Sequence, residues 1–213
     1  EAKFIADITL PDMLHMAILY STEAHALIKE INTSAAQQMP GVVKIITGAD
    51  TRSILPLPCI MNPGGDTSKF PPHPYGVPGA QTVLAIDKVR YIGEFVAVVV
   101  AQTRQQAYDA LAGISVDYEP LPVIVNAEEA LNPDAPQLHD TIPGNLNQYN
   151  GYGDKEATAQ ALANAEVVVK QRIYFPRLSH NAVETRGTIG DYNSQTEEYT
   201  LWTNTQIPHG NRF

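Results

Sequence analysis

The tightest constraint on this chain is a run of seven apolar residues, FVAVVVA, from Phe95 to Ala101. Valine is branched at Cβ, so it is stiff at χ1 and sits well on a pleated surface. The run has no alternating polar position and therefore no wet face. It predicts a strand covered on both sides by other elements. It is also the longest unbroken apolar run in the chain, and a membrane-spanning helix needs about 20 such residues. A membrane span is thereby excluded, and the fold has to be built around this strand.

The surrounding segments alternate between strand and helix signals. Leu14 to Tyr20 reads as a strand, and Ala26 to Ile31 alternates and is expected to pair with it. Thr33 and Ser34 cap a short helix, Ala35 to Met39, stopped by Pro40-Gly41. Val42 to Thr47, Val83 to Ile86 and Ile114 to Tyr118 read as further strands. Thr103 opens a helix through Leu111, with Ala107, Ala110 and Leu111 on one face. Later come a short helix at Ala127 to Leu131 and a longer one, Lys155 to Ala165, capped by Asp154. A strand at Val167 to Phe175, ended by Pro176, precedes two strands, Thr188 to Tyr192 and Tyr199 to Thr205, around a polar turn. The fold class is α/β of the mixed α+β kind.

Residues 53 to 80 break this pattern. Pro56, Pro58, Pro63, Pro71, Pro72, Pro74 and Pro78 fall there among four glycines. Proline fixes φ and removes an N–H donor, so the stretch reads as a long loop, and such loops often serve function or docking. The proline-containing residues 123–150 read as a linker between two domains.

Charge narrows the function. Fourteen Lys+Arg against 23 Asp+Glu give a net charge of −9, which excludes a basic nucleic-acid-binding stripe. Charged residues make up 17% of the chain, against about 25% in ordinary soluble domains, so part of the surface is expected to face neighbours. The start, Glu1-Ala2-Lys3-Phe4, has no apolar signal core and no initiator Met, so the chain is expected to be cut from something longer; a cytoplasmic location is expected. A single cysteine, Cys59, cannot hold an iron–sulfur cluster or an internal disulfide framework.

No phosphate-loop, GxGxxG, HExxH, CxxC or GxSxG motif is present. Gly151-Tyr152-Gly153 is too short for a dinucleotide fingerprint and reads as a turn before a helix. His180 and Glu184 stand four apart, a spacing that suits two metal ligands on a helix or a hydrogen-bonded pair that fixes the backbone. Cys59 has no adjacent cation to stabilise a thiolate and reads as inert. His15 and His25 bracket the first two strands and read as strand-ending groups. Glu94 reads as a buried carboxylate, with Arg90 or Lys88 as its partner.

Three longer segments say more. They read PDMLHMAILYSTEAHALIKEINTSAAQQMPGVVKIITGAD over 11–50, LAIDKVRYIGEFVAVVVAQTRQQAYDALAGISVDYEPLP over 84–122, and YFPRLSHNAVETRGTIGDYNSQTEEYTLWTNTQIPH over 174–209. In order and spacing they resemble the molybdenum-binding large subunit of the xanthine dehydrogenase/aldehyde oxidase family, which includes carbon monoxide dehydrogenases. The resemblance implies an α/β hammerhead domain over residues 1–122, the linker, and the start of a molybdopterin-binding domain over 151–213. It implies a molybdenum–molybdopterin cofactor, commonly in the cytosine dinucleotide form. FAD would lie on a medium subunit and 2Fe–2S clusters on a small one, in a dimer of heterotrimers. The implied reaction is oxidative hydroxylation of an aldehyde or N-heteroaromatic small molecule with oxygen from water.

The family places a glutamine beside the molybdenum in a strand-end TQ motif followed by Pro, and Thr205-Gln206-Ile207-Pro208 matches it. Gln206 is therefore expected to contact the cofactor without binding the metal. His180 and Glu184 match a family HxxxE pattern that belongs to local architecture. Phe95 stands where many members have Pro after the Gly-Glu pair. No catalytic residue is expected in this chain, because the resemblance puts the Gly-rich cofactor loop and the general-base glutamate beyond Phe213. The alternative is a non-catalytic assembly or docking domain with no cofactor of its own.

Overall fold

The computed structural model describes residues 3–54, 81–140, 142–146, 153–206 and 208. Cys59 and most of the proline-rich stretch lie outside the described residues, as does Gly151-Tyr152.

The FVAVVVA run forms one strand, β5 (Phe95–Ala101). It is central: β1 (His15–Tyr20) and β3 (Val42–Thr47) flank it, both antiparallel, in the order β1-β5-β3. Val96, Ala97, Val99 and Ala101 of β5 are fully buried. Side chains alternate across a strand, so the two faces have different cover. On one face Ala101 meets Ala17 and Ala107, with Leu111 against them; the last two belong to helix α2 (Arg104–Leu111). On the other, Val96 joins Ala26, Ala85 and Val89, flanked by Ile28, Ile31, Val116 and Tyr118. Most of these belong to a second sheet, β4-β2-β6, made of β2 (Ala26–Asn32), β4 (Lys88–Val89) and β6 (Ser115–Pro120). The cover on both faces that the sequence demands is a helix on one side and a sheet on the other.

Helix α2 starts on a capping box. Thr103 Oγ1 accepts from the Gln106 N–H at 3.2 Å, and Gln106 Oε1 accepts from the Thr103 N–H at 3.1 Å. Gly41 makes room for this. Its φ is +77°, and a Cβ there would fall within 2.4 Å of the Gln106 amide.

Three expectations are corrected. β1 and β2 do not pair. The Ser21 N–H bonds to the Glu94 carbonyl and the Gly93 N–H to the Ser21 carbonyl, tying the end of β1 to the turn before β5. β2 instead runs antiparallel to β6, from Ala26↔Pro120 to Asn32↔Ser115. Alternation fixes which face is buried, not which strand is the neighbour. Second, Val83 to Ile86 is not a strand. Leu84 and Ala85 are buried, but the ladder with β2 forms at Lys88 and Val89. Third, Val167 to Phe175 forms no ladder, because no strand lies beside it among the described residues. Strand preference is largely a preference for neighbours.

Smaller differences fall at element ends. Helix α1 is Ser34–Gln37, and residues 127–131 give a 3₁₀ turn at Glu129–Leu131. Helix α3 is Lys155–Ala163, with Asp154 Oδ1 accepting from the Ala157 N–H at 2.9 Å. The residues around Asn145 are braced. Asn145 donates to the carbonyls of Ala130 and Pro136 and accepts from the Leu138 N–H. Lys88 pairs with Asp140 at 3.0 Å.

The chain forms two compact units, Leu14–Ala163 and a second made of Glu1–Met13 with Asn164–Phe213. The second contains a hairpin of β7 (Thr188–Asn193) and β8 (Glu198–Thr203), in register from Thr188↔Thr203 to Asn193↔Glu198. Among the described residues no helix is long and apolar enough to cross a membrane.

Candidate functional site

Gln206 lies on the exposed segment just beyond β8. What fixes that segment is the end of the hairpin. Thr203 Oγ1 contacts Thr188 Oγ1 at 3.1 Å and donates to the Gly187 carbonyl at 3.3 Å. Asn204 then uses both ends of its amide. Its Nδ2 donates to the Thr185 carbonyl at 2.7 Å, and its Oδ1 accepts from the Gly187 N–H at 3.1 Å. An asparagine amide is both donor and acceptor, so one side chain closes both bonds.

The segment clamped by Asn204 is anchored again one residue earlier. Glu184 Oε1 accepts from the Ile5 N–H at 2.8 Å. A Cβ on Gly187 would come within 2.1 Å of Ile5 Cγ2, so glycine permits this close approach. Gln206, itself an exposed residue, therefore extends from a hairpin end braced on two sides.

His180 and Glu184 are not on a helix: residues 165–187 carry no helix or strand. The helix that would set both on one face is absent, and the Glu184 carboxylate serves the Ile5 backbone. The backbone-fixing role holds for Glu184, with Ile5 rather than His180 as its partner.

Glu94 is buried, at 4% exposure, as the sequence suggests. Its partner is the backbone of Arg90, whose N–H donates to Oε2 at 2.5 Å. Neither expected side-chain pairing forms. Lys88 pairs with Asp140, and the Arg90 guanidinium donates to the carbonyls of Leu138 and Lys88. Burial raises the Glu94 carboxyl above its ordinary value, against the downward pull of Arg90. His25 also serves the backbone. Its Nδ1 lies 2.7 Å from the Pro122 carbonyl, which can only accept, so Nδ1 carries the proton. His139 is lowered by burial and by Arg90, while Lys88 holds the Asp140 carboxyl below its ordinary value. These groups brace turns and strand ends. They do not form a nucleophile–base pair.

Asn204 was not singled out by the sequence. Its only signal is an amide between two threonines at a strand end, where short polar side chains commonly bond to nearby backbone.

Comparison with known proteins adds the wider frame. Residues 1–122 match the family model described as aldehyde oxidase and xanthine dehydrogenase, a/b hammerhead domain. Residues 138–213 match the molybdopterin cofactor-binding domain. The chain is 33% identical to the carbon monoxide dehydrogenase large chain of Hydrogenophaga pseudoflava, over 98% of this chain and 26% of that protein. Carbon monoxide dehydrogenase from Oligotropha carboxidovorans has the same fold, with a TM-score of 0.82 at 34% identity over 99% of this chain and 26% of that one. Quinoline 2-oxidoreductase from Pseudomonas putida 86 gives 0.79 at 35% identity, over 96% of this chain and 25% of that one. The chain thus spans about a quarter of the length of these relatives. With the hammerhead match covering more than half of its residues and the cofactor-domain match following in order, the chain belongs to the aldehyde oxidase and xanthine dehydrogenase family.

Proposed function

We propose that this chain is the N-terminal portion of the large subunit of a molybdenum hydroxylase. That enzyme hydroxylates an aldehyde or N-heteroaromatic substrate with oxygen from water. The observation that carries the reading is the order of the two family matches, hammerhead over 1–122 and molybdopterin-binding domain over 138–213. On this reading residues 1–122 are the hammerhead domain, 123–150 the linker, whose last residues the cofactor-domain match already includes, and 151–213 the start of the cofactor domain.

The described residues fit one part in holding such a cofactor. No group of three or more metal-ligating side chains lies among the described residues. They do supply an exposed residue with an amide, Gln206, on a braced hairpin end. Gln206 would offer its N–H to the bound cofactor and orient it, as groups just outside a metal's ligand shell do. When bound, the molybdenum cofactor supplies the two-electron oxidation chemistry and the activation of water. Asn204 and Thr203 hold the strand end from which Gln206 projects.

The pterin is proposed in its cytosine dinucleotide form. FAD is assigned to a medium subunit and the 2Fe–2S clusters to a small one, in a cytoplasmic dimer of heterotrimers. The test is Gln206→Ala in the complete enzyme. Turnover should fall about tenfold or more, with assembly and molybdenum content retained. Unchanged turnover would remove Gln206 from the site.

A further inference from the structure

From residue 164 onward, the described residues that are not exposed are Glu184, Gly187, Ile189, Trp202, Thr203 and Asn204. All lie at or just before the Thr188↔Thr203 end of the β7–β8 hairpin. At the other end, residues 191–200 are all exposed. What covers the first end comes from the far terminus of the chain. Glu1–Met13 belong to the same compact unit as Asn164–Phe213, although the family match counts them with the hammerhead.

Within that terminus, Ile5–Asp7 form one 3₁₀ turn. Asp7 Oδ2 accepts from the Phe4 N–H at 2.9 Å, and the Asp7 N–H donates to the Phe4 carbonyl at 3.0 Å. The first N–H groups of a helical turn have no partner inside it. Asp7 satisfies that of Phe4, and Glu184 satisfies that of Ile5 at 2.8 Å. A bond from an N–H to a carboxylate is stronger than one between neutral groups. The Ile5 side chain makes a second contact. It is half-buried against Gly187, where any Cβ would overlap Ile5 Cγ2. The Gly187 N–H donates in its turn to Asn204 Oδ1. A continuous set of contacts thus runs from the N-terminal turn to the residue that clamps the strand end before Gln206.

We propose that the turn Phe4–Asp7 is a positioning brace for Gln206, acting through Glu184, Gly187 and Asn204. This rests on the reading that Gln206 meets the bound cofactor. The contacts converge on the strand end that leads to Gln206 and leave the hairpin turn alone, so their loss displaces Gln206 before it unravels the hairpin.

Variants of the complete enzyme test this. Glu184→Ala should lower kcat about tenfold with KM little changed, because Gln206 is assigned to the cofactor and not to the substrate. Glu184→Gln keeps an acceptor for the Ile5 N–H and should recover most of that loss. In a Gln206→Ala background Glu184→Ala should cost little more, since residues that act as a unit are not additive. Losses that multiply, or a fall in turnover that only tracks lost molybdenum, would overturn the proposal. Gly187→Ala carries the same test from the packing contact if Glu184→Ala does not assemble. It should lower kcat, and adding Ile5→Ala should reverse most of the effect, because the nearest atom then left to the new Cβ is Ile5 Cβ at 3.3 Å. No recovery in the pair would overturn the brace.

Hydrogen–deuterium exchange reads the same contacts without turnover. The Gly187 amide should exchange about tenfold faster in Glu184→Ala than in the native enzyme, and equal rates would overturn the proposal. If Gln206→Ala alone leaves turnover unchanged while Gly187 exchange still responds, the cofactor contact of Gln206 fails and the brace on the strand end stands.

Discussion

The carboxyl of Glu94 sits in the turn before β5, held by the Arg90 N–H and raised by burial. A group raised on folding binds its proton more tightly in the fold. The stability it contributes is full below the ordinary glutamate value of 4.5 and is lost as pH rises through the higher folded value. Glu94→Gln removes the titration and keeps an acceptor for Arg90. The variant should match the native melting temperature in acid and exceed it at neutral pH. A difference that does not change with pH would contradict this. Asn204→Ala should loosen the hairpin end, costing about 1–2 kcal/mol for two lost bonds, measured by denaturant unfolding. The two residues differ in legibility. Glu94 is a lone carboxylate before an apolar run, and its burial follows from that position. Its partner does not, because a backbone N–H leaves no trace in the sequence. Gln206 is proposed on the TQIP resemblance alone, and the clamp of Asn204 was not legible at all.

At the scale of elements, β5 carries the fold. Val99 is fully buried at its centre, with cross-strand partners Ala17 and Ile45. Val99→Ala should cost about 2 kcal/mol in unfolding free energy, from lost burial and the cavity left behind. Thr103→Ala, which opens the capping box of α2, should cost about 1 kcal/mol in the same assay. A Thr103 cost equal to or above that of Val99 would mean that the core does not centre on β5. The bounds of β5 and β3 were legible because β-branched runs bounded by turn residues have a single reading. Pairing was less so. The separation of β1 from β2 depends on backbone bonds from Ser21 to Gly93 and Glu94, more than seventy residues away in the chain. The strand expected at Val167 to Phe175 does not form among the described residues, because a strand signal records a preference for neighbours and not their presence.

At the scale of the whole molecule, the low charge fraction and the exposed apolar residues beyond 164 accord with the proposed reading of the chain as a portion of a longer subunit. This chain is about a quarter of the length of its relatives, and surfaces that would be wasteful on a free domain suit one that meets the rest of a subunit. The hammerhead portion, with its covered β5, has its own core, while the hairpin portion contributes a braced end and Gln206. The account stands or falls on the cofactor that this arrangement serves. The most direct measurement is elemental analysis of the complete enzyme by inductively coupled plasma mass spectrometry. Molybdenum stoichiometric with the large subunit, together with iron, is the predicted result. A complete, folded assembly with no molybdenum above background would contradict it.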